Sequence, residues 1–252
     1  MIDMSPLYSD ADYSVVLSAF NTSRRWSVFK CVHLKVSKNR CPICECRLDG
    51  TVTRDTNNST NSYVIEPTID HYRPKDTSLY PFLKFVDTNY ILMCSDCNNA
   101  YKGNNFPLHS STPNRATSAA LLVNEKPLIV NPISDVLLDL FTVVFRYTPS
   151  GKKVLELQPK NEQGYEHEKA AETIKVFSLG HCEVNVHKNK NVQNCRINLL
   201  NDHFKKFEGF IEAFRNRNMI KMRSEIKRYN LQEYGFLQFI LEEQYEDLVS
   251  IP

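Results

Sequence analysis

The chain has 252 residues, 42% of them hydrophobic, and a formal net charge of +2 at pH 7. This length allows one large domain or two small ones with a buried core. The apolar runs are short and interrupted by charge, which argues against a membrane span. The amino-terminal sequence lacks the basic and apolar regions of a secretory signal, so a cytoplasmic location is expected.

The first predicted elements are two helices within residues 11–38. Apolar residues recur there at helical spacing, and residues 21–23 form a break with N-cap character. Residues 48–62 are rich in Thr, Asn and Asp and are expected to form an exposed loop. A short strand is predicted from Tyr63 to His71, with Pro67 indicating an edge strand or a bend.

The next predicted elements are a strand at residues 89–93 and a helix over residues 97–102 that ends at Gly103. Alternating apolar residues on either side of residues 150–152 predict a hairpin. The sequence then predicts three further helices, over residues 165–178, 186–229 and 231–249. Gly180 is expected to end the first of them.

These elements predict an α+β, mainly α-helical protein. A compact module is expected at residues 1–115, followed by a mixed and then helical region at residues 116–252. Residues 186–230 carry eleven basic and four acidic side chains, whereas residues 231–252 carry five acidic and no basic ones. The basic stretch suits a polyphosphate partner, although charged helical residues are commonly just a solvated face.

Two C-x-x-C motifs carry the most specific chemistry in the chain. Their four thiolates can surround one Zn²⁺ as a closed, structural tetrahedral site, formed by Cys41, Cys44, Cys94 and Cys97. In a reducing compartment, cysteines favour metal ligation over disulfides. Cys46 could compete as a zinc ligand, but only one residue separates it from Cys44, whereas two residues separate the cysteines of each C-x-x-C motif. A redox role for one C-x-x-C is the alternative, though such motifs do not come doubled around an Asp-His pair.

The Asp70-His71 pair lies between the two C-x-x-C motifs, and Asn98 directly follows the second. Hydrolysis of a phosphodiester requires an activated water and stabilisation of charge on the phosphoryl oxygens. A histidine suits the first task because its pKa lies near working pH. Carboxylate and amide oxygens are ligands suited to Mg²⁺ or Mn²⁺. The pattern therefore indicates a catalytic metal next to the structural zinc.

The segment from Asp70-His71 through Asn89 to Cys97-Asn98 resembles the HNH (ββα-metal) endonucleases. This resemblance implies that His71 is the general base, that the amide of Asn89 orients it, and that Asp70 and Asn98 bind the catalytic Mg²⁺ or Mn²⁺. It also implies a zinc-stabilised ββα-metal module.

Three basic residues are expected to contact phosphate. Lys102 lies four residues after Asn98, hence on the same helical face, and is a poor Mg²⁺ ligand. We therefore interpret it as a phosphate contact. Arg73 and Lys75 follow His71 closely enough to contact the backbone of a nucleic acid.

A closer resemblance is to the PtuB-like HNH subunits of the Septu and retron-associated anti-phage defence systems. It rests on Glu66–Lys75 and on Asn98 with Tyr101–Leu108, and covers the first 110 residues well. It implies an ABC/SMC-like ATPase partner that controls the nuclease within a hetero-oligomer. DNA is the favoured substrate, with RNA, including tRNA, possible. The alternative is a non-catalytic zinc-stabilised module that binds nucleic acid or protein.

Overall fold

The computed structural model describes residues 1–48, 51–56, 59–112, 114–147, 153–179, 206–235, 238–239 and 241. Several sequence predictions fall outside these residues: the turn at 150–152, the helix stop at Gly180, the first part of the basic stretch at 186–205, and the acidic end of the chain at 242–252.

The amino-terminal region contains two α-helices, as predicted. Helix α1 spans Tyr13–Ser23 and helix α2 spans Lys30–Val36, with a 3₁₀ turn at Trp26–Phe29 between them. The break lies after residue 23 rather than at 21–23. Arg24 adopts a left-handed conformation with φ 54°, which ends α1.

The polar segment expected to be a loop contains a strand pair instead. Strand β1, Thr51–Thr56, pairs antiparallel with β2, Ser59–Val64, from Thr51 opposite Val64 to Thr56 opposite Ser59. Threonine and valine are β-branched and favour extended backbone, so polarity alone misled the prediction.

The predicted strand from Tyr63 to His71 is divided between two sheets. β2 ends at Val64, and β3 spans Pro67–His71. β3 pairs antiparallel with β4, Tyr90–Cys94, which confirms the second predicted strand. Proline has no backbone N–H to contribute to a ladder, which suits Pro67 to the first position of β3.

A short π-helix at Asp96–Lys102 follows β4 almost directly and completes a β–β–α unit with β3. The N–H of Gly103 donates to the carbonyl of Asn98 at 2.7 Å, closing the last wide turn. Gly103 has φ 47° and ψ −126°, a conformation that suits glycine, and the helix ends there as the sequence predicted.

Aromatic packing holds the β–β–α unit against the amino-terminal helices. Phe20 and Phe29 lie 5.5 and 5.4 Å from the ring of Tyr90 on β4. Tyr13 of α1 extends this cluster, at 5.6 Å from Phe29. The face of β3 that carries Ile69 and His71 is buried toward these helices, whereas Thr68 and Asp70 are half-buried on its other face.

The second half of the chain confirms the predicted hairpin and the helix after it. α3 spans Leu137–Leu140, β5 Phe141–Tyr147 pairs antiparallel with β6 Lys153–Pro159, and α4 spans Tyr165–Val176. The described sheets are thus three antiparallel strand pairs, and the fold is α+β.

The last described elements differ from the predicted long helices. Residues 206–215 are helical and form α5, and α6 spans Met219–Tyr229. Arg217, with φ 51°, lies between them, so the helix expected over 186–229 is interrupted in its described part. Within the described ranges no helix has the length and apolar character needed to cross a bilayer.

Candidate metal centre and the strand end beside it

Four cysteine thiols converge in the interior of the amino-terminal half. The Sγ atoms of Cys41, Cys44, Cys94 and Cys97 all lie within 4.8 Å of one another, and all four residues are buried. The first two come from a tight turn in which the N–H of Glu45 donates to the carbonyl of Cys41. The other two lie at the end of β4 and in the first turn of the π-helix. The cluster therefore links two separate segments of backbone, the turn at residues 41–45 and the junction of β4 with the π-helix.

The distances within the cluster suit a tetrahedral metal. Sγ of Cys41 and Sγ of Cys97 are 3.6 Å apart, and those of Cys44 and Cys94 are 3.8 Å apart. Zn–S bonds of about 2.3 Å in a tetrahedron place the sulfur atoms ~3.8 Å apart. Backbone N–H groups of Cys94 and Cys97 point at cluster sulfur atoms from 3.4 and 3.3 Å. These donors stabilise thiolates, so the four residues could hold a structural zinc ion.

A fifth cysteine lies beside the cluster. Cys46 is buried and its Sγ is 3.4 Å from that of Cys44, but it does not belong to the mutually close set of four. Hydrogen bonds to Cys41 and Cys44, with burial, raise the pKa of the Cys46 thiol well above its usual value. By its position, Cys46 packs against the cluster without belonging to the set of four.

The seam between β3 and the π-helix brings two predicted metal ligands to one side. Thr68 and Asp70 share a face of β3, and Asn98 and Lys102 face them from the helix. Nδ2 of Asn98 donates to Oγ1 of Thr68 at 3.2 Å. Oδ1 of Asn98 and Oδ1 of Asp70 have no hydrogen-bond partner in the described part of the chain. The donor chemistry of these two oxygens fits a hard divalent cation.

Lys102 occupies this seam in a way that the sequence did not predict. Its ammonium group donates to Oδ2 of Asp70 at 2.7 Å, to the carbonyl of His71 at 2.8 Å and to that of Gly103 at 3.3 Å. The side chain of Lys102 is 0% exposed. All three ammonium hydrogens have acceptors inside the protein, so Lys102 is engaged with Asp70 rather than presented to a phosphate.

The imidazole of His71 lies on the other face of β3 from the Asp70 carboxylate. It packs edge-on against Trp26 at 5.3 Å and Tyr90 at 5.1 Å, and the residue is 2% exposed. Nε2 lies 3.0 Å from the carbonyl oxygen of Lys84. Because a carbonyl only accepts, Nε2 carries the proton and Nδ1 is the basic nitrogen.

Burial is the largest influence on His71 and lowers its pKa, so the imidazole is neutral at pH 7. The hydrogen bond to the Lys84 carbonyl opposes this shift, and the nearby charge of Lys75 adds to it. Nδ1 has no hydrogen-bond partner among the described residues. A neutral imidazole with an unengaged Nδ1 has the protonation state that a general base requires.

The side-chain amide of Asn89 binds the backbone that follows His71 rather than the imidazole of His71. Its Oδ1 accepts from the N–H of Arg73 at 2.8 Å, and its Nδ2 donates to the carbonyl of Arg73 at 2.9 Å. The expected bond from the amide to the imidazole is replaced by the bond from Nε2 to Lys84. Asn89 is buried and holds the backbone that leaves β3.

The other two expected phosphate contacts differ in their surroundings. Nε of Arg73 donates to Oε2 of the buried Glu125 at 3.0 Å, and its guanidinium lies over the rings of Tyr80 and Phe106. Lys75 is partly exposed, and its ammonium group lies 4.0 Å from the ring centroid of Trp26. Among the described residues, no carboxylate forms a salt bridge with Lys75.

Sequence reasoning missed Trp26 and Glu125. Trp26 lies far upstream of His71 in the chain, and no spacing rule joins the two residues; its being the only tryptophan was the one signal available. Glu125 also accepts from Tyr80 and from the N–H of Ala116, at 2.9 and 2.7 Å. A single acidic residue downstream of both C-x-x-C motifs gives no sign of such burial.

Comparison of the chain with protein-family models, with curated proteins and with solved structures finds no match.

Proposed function

We propose that the protein is a metal-dependent endonuclease that hydrolyses phosphodiester bonds of nucleic acid, with Zn²⁺ at the cysteine cluster as a structural ion. One observation carries the proposal. β3, β4 and the π-helix form a single β–β–α unit in which Asp70 and Asn98 face one seam and His71 ends the same strand.

The cysteine cluster supports this arrangement mechanically. Cys94 ends the strand that pairs with β3, and Cys97 immediately precedes Asn98. A metal bound there fixes the angle between strand and helix, which a unit this small has too little core to fix alone. The same ion therefore determines where the Asn98 amide lies relative to Asp70.

The remaining oxygens of Asp70 and Asn98 would hold a divalent cation, which supplies charge stabilisation at the phosphoryl group when bound. His71 accepts a proton at Nδ1 from the attacking water, while its Nε2–H remains bound to the Lys84 carbonyl. Asn89 keeps the chain after His71 in place through the backbone of Arg73.

For this mechanism, water and substrate must reach an imidazole that is 2% exposed. Such a site is closed in the isolated chain, which is consistent with the proposed control by an ABC/SMC-like ATPase partner in a defence complex. We expect weak cleavage by the chain alone and stronger cleavage with the partner. DNA is the first substrate to test, followed by RNA and tRNA.

A separate observation favours a second function. In this alternative, the protein is a non-catalytic zinc module that binds nucleic acid or protein. The imidazole and the Asp70 carboxylate point to opposite faces of β3, and Asp70 is already paired with Lys102. A binding module needs only the cysteine cluster and a surface, and it would retain zinc and its ligand without cleaving anything.

The test compares cleavage by the wild type with that by His71→Gln and His71→Ala, with plasmid and total RNA as substrates in Mg²⁺ or Mn²⁺. Glutamine can still donate to the Lys84 carbonyl but cannot act as a base near pH 7. Both variants should lose cleavage by about 100-fold or more. Zinc content and the unfolding transition establish that each variant is folded.

His109→Ala is the matched control, since His109 lies outside the β–β–α unit and bonds Ser111. Its cleavage should equal that of the wild type. Cleavage by His71→Gln at the wild-type rate would remove His71 as the base. Binding without cleavage by the wild type, with its partner present, would establish the binding module instead.

A further inference from the structure

We propose that the surface around His71 binds unpaired nucleotides, through a platform formed by Trp26, Phe85, Lys75 and Lys84. The inference rests on the proposed function, because it names the form of nucleic acid that reaches His71.

The platform has two aromatic side chains, one in contact with the imidazole and one next in the chain to its hydrogen-bond acceptor. Trp26 is partly exposed and meets the ring of His71 edge-on at 5.3 Å. Phe85 is 43% exposed and directly follows Lys84, whose carbonyl receives the bond from His71 Nε2. Single exposed hydrophobic residues are normal on a protein surface, so Phe85 is informative only together with Trp26 and the lysines beside the two rings.

A lysine ammonium group lies over each aromatic ring of the platform. Nζ of Lys75 lies 4.0 Å from the centroid of Trp26, and Nζ of Lys84 lies 5.1 Å from that of Phe85. In the described part of the chain neither lysine forms a salt bridge.

The charges around these lysines do not cancel. Burial is the main cause that lowers the pKa of Lys75; Asp70 opposes the shift and the charge of Lys84 adds to it. The two ammonium groups are therefore close enough to repel each other. Asp70, the carboxylate that acts on Lys75, is already paired with Lys102.

This combination selects single-stranded nucleic acid. An aromatic ring stacks on a base only where the face of that base is free, and the faces of bases within a duplex are already stacked. Unpaired lysines beside the rings supply contacts to the phosphates between successive bases. A duplex could use the lysines but not the rings.

The binding test uses the zinc-loaded full chain without added Mg²⁺ or Mn²⁺, so that no cleavage occurs. Trp26 is the only tryptophan, so its fluorescence reports directly on the platform. Titration with a short oligothymidylate should quench the emission saturably. The matching duplex should bind more weakly and quench less.

Variants separate stacking from charge, with affinity measured by the anisotropy of a labelled oligothymidylate. Trp26→Leu, which keeps an apolar side chain, and Phe85→Ala should each weaken binding by about 5- to 150-fold without changing its salt dependence. Lys75→Ala and Lys84→Ala should each reduce the slope of log affinity against log salt by about 0.7.

Lys126→Ala is the control, because its ammonium group lies over Tyr165 at 5.8 Å, away from His71. Equal affinity of wild type, Trp26→Leu and Phe85→Ala would overturn the platform even if the protein cleaves nucleic acid. Preference for the duplex would overturn it as well. Tight single-strand binding that depends on Trp26, without cleavage in Mn²⁺ even when the partner is present, would retain the platform and reject the nuclease.

Discussion

At the level of single residues, the pairing of Lys102 with Asp70 changes the electrostatics of the proposed metal site. The carboxylate contributes one negative charge and the buried ammonium one positive charge, while Asn98 and the imidazole are neutral. The site therefore has no net protein charge with which to attract a cation. We expect a divalent cation to bind weakly until a phosphodiester supplies negative charge.

Sequence spacing predicted part of this arrangement. Positions 98 and 102 are four apart, so both were expected on one helix face, and both do face β3. Spacing could not predict that Lys102 is buried, because this depends on the carbonyls of His71 and Gly103 meeting the ammonium group. Nor could it separate a lysine that contacts phosphate from one that pairs with Asp70.

His33 is a second buried histidine, and it gives a prediction about acid stability. It lies in α2 beside Phe29 and is 1% exposed. Burial lowers its pKa from 6.5 to about 4. Because the unfolded chain binds this proton more readily than the folded one, the stability contribution is complete above pH 6.5 and is lost as the pH falls toward about 4.

Replacing His33 with Gln, which does not titrate in this range, should remove this dependence. The wild type should lose up to about 3 kcal/mol between pH 6.5 and 4 that the variant does not lose. Denaturant unfolding of zinc-saturated protein across this range measures the difference, and comparing the two chains cancels the shared loss of zinc at low pH. Parallel pH profiles would contradict the assignment.

At the level of elements, the predictions that succeeded had strong local signals. β4 and the π-helix were predicted because an apolar run leads into Cys94 and Gly103 ends the segment. The strand pair formed by β1 and β2 was missed because its apolar residues are few, and pairing depends on a partner strand that composition does not reveal. The break between α5 and α6 at Arg217 could not be predicted, because no Gly or Pro lies next to it in the sequence.

The β–β–α unit should depend on four cysteines and not on the fifth. Cys94→Ser should abolish stoichiometric zinc binding and lower the unfolding midpoint, because Cys94 links β4 to the turn that carries Cys41 and Cys44. Cys46→Ser is the matched control, since it is equally buried and close to Cys44 but lies outside the set of four. It should retain zinc.

Zinc content by elemental analysis, together with thermal unfolding, checks this prediction. If Cys46→Ser loses the ion while Cys94→Ser retains it, the ligand set is different from the one assigned. If both variants retain zinc and unfold like the wild type, the cluster does not hold the β–β–α unit together.

At the level of the whole molecule, the region after residue 115 contacts the segment that directly follows β3. Glu125 binds both Arg73 and Tyr80, and the hydroxyl of Tyr72 donates to the carbonyl of Ile129 at 2.6 Å. Residues just after His71 are therefore held by Asn89 on one side and by the region after residue 115 on the other. A partner that moves the region after residue 115 could change access to His71, which gives the proposed ATPase control a physical route.

The measurement that tests the central claim most directly is Mn²⁺ binding by electron paramagnetic resonance. The zinc-loaded wild type, Asp70→Asn and Lys102→Met are compared, with Asp12→Asn as a control that breaks an exposed pair with Lys35. We expect one weak site in the wild type and in the control, and its loss in Asp70→Asn. Lys102→Met should bind at least about tenfold tighter, because it removes a cation that competes for the same carboxylate. Equal binding by all four chains would contradict a catalytic cation at Asp70.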